Sequence, residues 1–193
     1  MPTLTLIAGP NGSGKSTLTE WVDLEGRGLL LDTDAIARTI DPATPQRAAI
    51  AAGREMLKRI DRCLHRQASF AVETTLSSRG SLGLIDKARA QGYEIHLTFV
   101  ALDSPERCIA RIRTRVLRGG HSVPDADVRR RYDRSLENLP TALRMADIAK
   151  VYDNSGDKHR LVLTVQRGLV INRLAALPPW AQRYDADFPF PLR

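Results

Sequence analysis

Near the start of the chain a short apolar run, Leu4-Thr5-Leu6-Ile7-Ala8, stops against a glycine-rich stretch, Gly9-Pro10-Asn11-Gly12-Ser13-Gly14-Lys15-Ser16. The stretch fits G-x-x-x-x-G-K-[ST] at every fixed position. The pattern restricts the fold because it works only between a buried strand and a helix. Glycines let backbone N–H groups turn inward onto phosphate oxygens, and the helix start adds free N–H groups and the positive end of its dipole. The sequence supplies both flanks, a strand over 4–8 and a helix over 16–24. The expected ligands are ATP and Mg²⁺, held by Gly9, Pro10, Asn11, Gly12, Ser13, Gly14, Lys15, Ser16 and Thr17. Lys15 should reach the β- and γ-phosphates, and Ser16 should set its hydroxyl on Mg²⁺.

The rest of the chain alternates in the same way. Leu29-Leu30-Leu31, Ser69-Phe70-Ala71-Val72, Ile95 to Leu102 and Ile148 to Tyr152 read as strands. Helices are expected near 45–66, where apolar residues recur three or four apart, and around Leu82, Ile85 and Ala88, with Gly92 at the C′ position. Ser104 should cap a helix with Pro105 in its first turn. Pro124 should open another, broken near Pro140, because proline donates no helical hydrogen bond. Leu161–Val165 and Leu169–Ile171 suggest a terminal hairpin. The expected fold is therefore α/β, a three-layer P-loop NTPase type with a mostly parallel central sheet. One domain should cover 1–175, with an arginine-rich helical lid at about 115–135. A proline-rich tail, 176–193, should lie extended over the surface or fray.

The chain has 193 residues and a net charge of +7, and no apolar run is long enough to span a bilayer. The N-terminus lacks the pattern of a secretory signal. Cys63 and Cys108 have no metal-ligand spacing and read as buried thiols, so a cytoplasmic protein is expected. The positive excess gathers between Arg107 and Arg134, with nine arginines. Arg111, Arg115 and Arg118 share one helix face, with Ile109, Ile112 and Val116 opposite them facing inward. Arg131 borders the apolar stripe Val128, Tyr132, Leu136 and Leu139 of the next helix, while Arg130 and Arg134 point away. Arginines on both sides of Gly119-Gly120 would suit a lid closing on phosphates; a solvated basic face is the plain alternative.

Three further segments flank the loop. A carboxylate in Asp32-Thr33-Asp34, beyond the second strand, could take a proton from an attacking hydroxyl. Asp34 could equally cap the helix starting at Ala35, and Asp32 could orient Mg²⁺ through water. Glu73, Thr74 and Thr75 follow the third strand and offer polar groups to a substrate. His121 follows the glycine pair. The guanine-reading N-K-x-D is absent, and Asp23-Leu24-Glu25-Gly26 lies too soon after Lys15 to be its partner motif. Leu117-Arg118-Gly119-Gly120-His121 only faintly matches the transporter ATPase signature. A small kinase or a nucleotide-dependent switch remains.

The ordered set Ala8 to Thr17, Asp32-Thr33-Asp34, Glu73-Thr74-Thr75, Arg118-Gly119-Gly120-His121 with Arg131-Tyr132, and Tyr152-Asp153-Asn154-Ser155 resembles the zeta toxins and their small relatives, P-loop kinases of toxin–antitoxin systems. The resemblance implies phosphorylation of UDP-N-acetylglucosamine, or a related nucleotide sugar, at a sugar hydroxyl. It implies Asp34 as base, Lys15 on the triphosphate, Glu73 on the sugar side, and Arg118 and Arg131 on the phosphates. It also implies a possible antitoxin partner. A kinase of nucleic-acid ends or of a nucleotide cofactor is the rival enzyme. Nucleic acid is the less expected partner, since the few aromatic residues are not clustered for base stacking. A non-catalytic ATP-binding switch is the rival from another class.

Overall fold

The computed structural model describes residues 1–21, 29–120 and 122–184. Its centre is a seven-stranded sheet. Five strands are parallel: β1 (Thr3–Ala8), β2 (Leu29–Leu31), β3 (Phe70–Thr74), β4 (Glu94–Ala101) and β5 (Ile148–Asp153). A hairpin, β6 (Arg160–Gln166) and β7 (Leu169–Arg173), continues the sheet antiparallel from β5. The order is β2-β3-β1-β4-β5-β6-β7. The inner strands read as unbroken apolar runs because helices cover both faces, which removes any solvent side. Leu4, Leu6, Ile7, Phe70, Ile95 and Phe99 are fully buried, and each such side chain contributes about 1.5–3 kcal/mol by leaving water.

The helices are α1 (Lys15–Trp21), α2 (Thr33–Ile40), α3 (Ala49–His65), α4 (Arg79–Ala90), α5 (Pro105–Leu117), α6 (Asp125–Met145) and the short α7 (Pro179–Gln182). Ser104 accepts a hydrogen bond from the Arg107 N–H and Pro105 begins α5, as its sequence implies. Gly92 takes the left-handed conformation just past α4, with φ +79°. The expected continuation of α1 to residue 24, the Asp23–Gly26 stretch and the last prolines, Pro189 and Pro191, lie outside the described residues.

Because β1 lies between β3 and β4, the chain leaves it toward α1 while the neighbouring strands leave toward other helices. Ligands of open parallel sheets sit in the crevice beyond the strand ends at such a point. The glycine-rich loop, Glu73 near the end of β3, Asp32 after β2 and Asn154 after β5 all surround it.

Two expectations are corrected. First, α6 does not break at Pro140; it runs on to Met145. Proline lacks the N–H that would bond to the carbonyl four residues back, which belongs to Leu136. That carbonyl is taken instead by the Tyr184 hydroxyl, which donates to it at 2.6 Å. Second, the C-terminal segment is not a surface tail from residue 176. Trp180, Ala181 and Tyr184 are each under 5% exposed. Trp180 packs on Phe99 at 6.3 Å between ring centroids and donates its indole N–H to Asp153.

Tyr184→Phe should leave the Leu136 carbonyl buried and unpaired, a loss of about 1–3 kcal/mol. Denaturant unfolding should show a lowered midpoint at unchanged slope. In a Pro140→Ala background, where residue 140 supplies its own N–H, the same substitution should cost less. An equal cost in both backgrounds would separate the tyrosine from the proline.

Candidate functional site

The phosphate loop is shaped by close approach. At Gly9, φ is +139° and an added methyl would lie 2.0 Å from the Val100 carbonyl oxygen. At Gly14, φ is +96° and a methyl would lie 2.2 Å from the Asn154 side-chain nitrogen. Only glycine satisfies both the conformation and the space. Ser13 is wholly buried, and its hydroxyl oxygen has no hydrogen-bond partner. An orphaned buried hydroxyl in a tight glycine loop fits a ligand rich in oxygen acceptors.

Lys15 is 6% exposed, and its ammonium donates to the Gly9 and Pro10 carbonyls at 2.9 and 3.0 Å. Its third neighbour is the Glu73 carboxylate at 3.8 Å. Burial lowers the lysine pKa, and Glu73 opposes that shift. Glu73 itself is pushed above the ordinary glutamate range. Burial is the main cause, offset by Lys15 and reinforced by Asp32 and Asp34. The Ser16 hydroxyl donates to Glu73 at 3.4 Å. The geometry therefore sets Glu73 against the loop lysine and serine. This follows from sheet pairing, since Glu73 stands opposite Ile7 in the register of β3 on β1.

The two aspartates of 32–34 divide their work. Asp32, not Asp34, caps α2. Its carboxylate accepts from the N–H of Asp34 at 2.9 Å and of Ala35 at 3.2 Å, with the Arg38 guanidinium 3.7 Å away. Each Asp32 oxygen thus accepts one bond from the helix end and keeps a further lone pair for the expected water-mediated Mg²⁺ role. Asp34 is exposed in the first turn of α2 and close enough to act on the charges of both Lys15 and Glu73. Its side chain has no hydrogen-bond partner among the described residues. Among those residues no group of three or more His, Cys, Asp or Glu is arranged to hold a metal ion. Oxygen donors suited to Mg²⁺ do meet at Ser16 and Glu73.

Thr74 and Thr75 stand beside Glu73, with their hydroxyls engaged locally. Thr74 contacts the Ser81 hydroxyl at 2.9 Å and accepts from the Leu76 N–H, while Thr75 pairs with Ser77 at 2.7 Å. These bonds hold a loop in which buried Leu76 takes φ 56°, a strained conformation for a residue with a side chain. Asn138 of α6 donates to the Leu76 carbonyl at 2.8 Å and locks it.

The arginines sit on anchored helices. Val128, Tyr132, Ser135, Leu136 and Leu139 bury one side of α6, and the Tyr132 hydroxyl donates to the Leu102 carbonyl. Ion pairs Arg113–Asp125 at 2.6 Å and Arg129–Glu106 at 3.3 Å tie α6 to α5 across the glycine pair. Arg131 is half-buried and reaches Asn11 of the phosphate loop at 3.4 Å. Arg130 and Arg134 are exposed, with Arg130 on Asp127. Arg118 ends α5 and is exposed. Arg115, one turn earlier, is the α5 arginine whose charge Lys15 feels. Val116, expected to face inward, is 38% exposed because α5 is near its end there. His121 lies outside the described residues. Cys63 and Cys108 are buried free thiols, and burial pushes Cys108 up to about 12, which keeps it protonated.

Two residues already named in the sequence support the loop through contacts that it did not reveal. Arg111 donates to the Asn154 carbonyl at 2.8 Å, and Asn154 donates through its amide to the Ser13 carbonyl at 2.8 Å. The sequence offered Asp153 and Asn154 as part of the Tyr152–Ser155 segment that carries the resemblance. Asp153 is held inside the protein by Ser155, Arg160 and Trp180.

A family model described as an AAA domain matches residues 4–139. An uncharacterised protein of Haemophilus influenzae is 34% identical over 124 residues, covering 64% of this chain and 88% of that protein. A chain from the PezAT chromosomal toxin–antitoxin system of Streptococcus pneumoniae superposes with a TM-score of 0.62 at 16% identity, over 85% of this chain and 72% of that one. A chain from the crystal structure of AvrRxo1-ORF1:-ORF2 with ATP gives a TM-score of 0.68 at 16% identity, over 96% of this chain but only 63% of that one. At these identities the structural likeness is one of fold, and the fold is a P-loop NTPase-type α/β domain with a mostly parallel sheet. No helix among the described residues is long and apolar enough to cross a membrane.

Ionising Glu73 costs more in the folded protein than in the unfolded chain. Its folded pKa lies above the unfolded one, so the stability it contributes at low pH is lost as pH rises through the folded value. Glu73→Gln, neutral throughout, should therefore gain on wild type as pH climbs above the ordinary glutamate value of about 4. Unfolding measured at several pH values checks this. A gap that closes with rising pH would mean that attraction to Lys15 outweighs burial.

Proposed function

The chain belongs to the AAA domain family, and from that premise we propose that it is an ATP-dependent phosphotransferase acting on a hydroxyl of an anionic small molecule. A nucleotide sugar such as UDP-N-acetylglucosamine is the proposed acceptor. The observation that carries the reaction type is the division of labour after β2. Asp32 takes the helix cap, and Asp34 is left exposed, without a hydrogen-bond partner among the described residues and electrostatically coupled to Lys15 and Glu73.

In this reading Lys15 exchanges its loop carbonyls for the β- and γ-phosphate oxygens, whose charge offsets the cost of its burial. Asp34 accepts the acceptor's hydroxyl proton. The freed oxygen bonds to the γ-phosphorus as the bond to the β–γ bridging oxygen breaks, and ADP leaves. Arg131 from α6 and Arg118 at the end of α5 steady the charge spread over the transferred group. Ser16 and Glu73 are the residues that would hold Mg²⁺, which supplies charge neutralisation on the phosphates. Thr74, Thr75 and His121 belong to the proposed acceptor side.

The nucleotide sugar rests on the resemblance to zeta toxins, and it is supported by arginines that could hold a pyrophosphate. An antitoxin-type protein partner is part of the same proposal. It is supported by neighbours of like fold that come from the PezAT toxin–antitoxin system and the AvrRxo1-ORF1:-ORF2 complex.

The test is mass spectrometry of UDP-N-acetylglucosamine incubated with protein, ATP and Mg²⁺. Wild type should form a singly phosphorylated nucleotide sugar. Asp34→Asn should slow that formation by about 10²–10⁴-fold with ATP affinity retained, since the cap belongs to Asp32. Lys15→Ala should lose ATP affinity and transfer together. No product from wild type would reject this acceptor, and equal rates in wild type and Asp34→Asn would reject Asp34 as the base.

A further inference from the structure

A buried polar junction lies directly behind the phosphate loop. Asn154, the first residue after β5, is 7% exposed. Its backbone N–H donates to the Ala101 carbonyl at the end of β4, at 2.9 Å. Its carbonyl accepts from Arg111 at 2.8 Å, and the next carbonyl, of Ser155, accepts from Arg107 at 2.6 Å. Arg107 and Arg111 are one turn apart on α5, so that helix grips the β5–β6 loop at two consecutive residues. The Asn154 amide points the other way and donates to the Ser13 carbonyl at 2.8 Å. It is packed against the loop, since a methyl group on Gly14 would come within 2.2 Å of it. The loop also touches α5 directly, where a methyl on Gly12 would lie 2.5 Å from the Cys108 carbonyl oxygen.

Any buried asparagine after a strand needs partners, and satisfying its own polar atoms would explain an amide bonded to some carbonyl. Here the three bodies joined are the phosphate loop, the end of the sheet and the helix whose next turn carries Arg115, an arginine felt by Lys15. The geometry points to Asn154 as a positioning residue for triphosphate binding. Its amide fixes the height of Ser13 and Gly14 above the β4–β5 edge and holds the loop in register with α5. Loop donors and helix arginines then converge on the same phosphates. The assignment rests on the reading of this loop as an ATP site, and it concerns binding, not proton transfer. It also gives α5 a fixed relation to the loop.

Asn154→Ala leaves the Ser13 carbonyl buried without its donor. Asn154→Asp sets a carboxylate against that oxygen and close behind the phosphate cradle. Equilibrium titration with ATP should give a dissociation constant about tenfold weaker in Asn154→Ala, the size of one buried hydrogen bond, and weaker again in Asn154→Asp. Tyr93→Phe is the control for general loosening. The Tyr93 hydroxyl lies 3.0 Å from the Cys63 and Ala68 carbonyls at the far end of the sheet. Its loss should lower the melting temperature and leave the ATP constant unchanged. Binding within twofold of wild type in both Asn154 variants would overturn the assignment, as would an equal weakening in Tyr93→Phe. Absence of ATP binding by wild type would remove the nucleotide site and this role with it. Wild type that binds ATP and transfers no phosphoryl group would sink the phosphotransferase reading while the Asn154 result still decides the present one.

Discussion

The ammonium of Lys15 is out of water, and the oxygens that answer it shape everything around it. A buried cation must be met by acceptors at close range, or its charged form is lost. Two of those acceptors are carbonyls of its own loop, so the chain has to curl back over the side chain. The third is a carboxylate on the neighbouring strand. The curl needs glycine where carbonyls and an amide press against the backbone. The carboxylate needs β3 beside β1, which is the arrangement at which a parallel sheet opens its crevice. Loop conformation, strand order and the location of the site are thus linked through one charge.

Around that centre the arginines fall into two groups. Arg107, Arg111, Arg113 and Arg129 are engaged with carbonyls or carboxylates that tie α5, α6 and the β5–β6 loop together. Exposed pairs of this kind contribute little to stability one by one. Their value is geometric, because they orient the two helices that carry Arg131 and Arg115. Arg131 reaches the phosphate loop from α6, and Arg115 approaches from α5. The basic run that stands out in the sequence is therefore partly scaffold and partly field over an anion.

What could be read from the sequence was local. The phosphate loop, the parallel strands, the cap of α5 and the outward turn of Arg130 follow from short patterns whose period or spacing carries the information. What escaped depended on partners distant in the chain. Pro140 breaks a helix by every local rule, yet α6 continues because a tyrosine far downstream replaces the missing donor. The segment around Trp180 looked like a loose tail because its partners, Phe99 and Asp153, belong to other strands. Glu73 was legible as a crevice residue from its place after the third strand, but its contacts with Lys15 and Ser16 were not, because they depend on the register of β3 on β1. Asp32 and Asp34 were ambiguous for a different reason. Asp34 was read as base or cap and Asp32 as a partner of Mg²⁺; the cap falls to Asp32 because the helix begins at Thr33 and not at Ala35, a boundary that local patterns fix only to within a few residues.

The tyrosine that completes α6 also imposes an order on the making of the protein. The Leu136 carbonyl waits for a donor that the ribosome adds 48 residues later. Until then the helix that presents Arg131 has a gap in its ladder beside a proline, and the apolar face that will receive Trp180 and Tyr184 stands uncovered. A nascent chain can complete its phosphate loop earlier, because β1, β3, β4 and Asn154 after β5 are all made before Tyr184. The helix that holds the arginines over that loop is finished only when the last described residues have emerged. A prematurely ended chain would keep the loop and lack the support for its arginines.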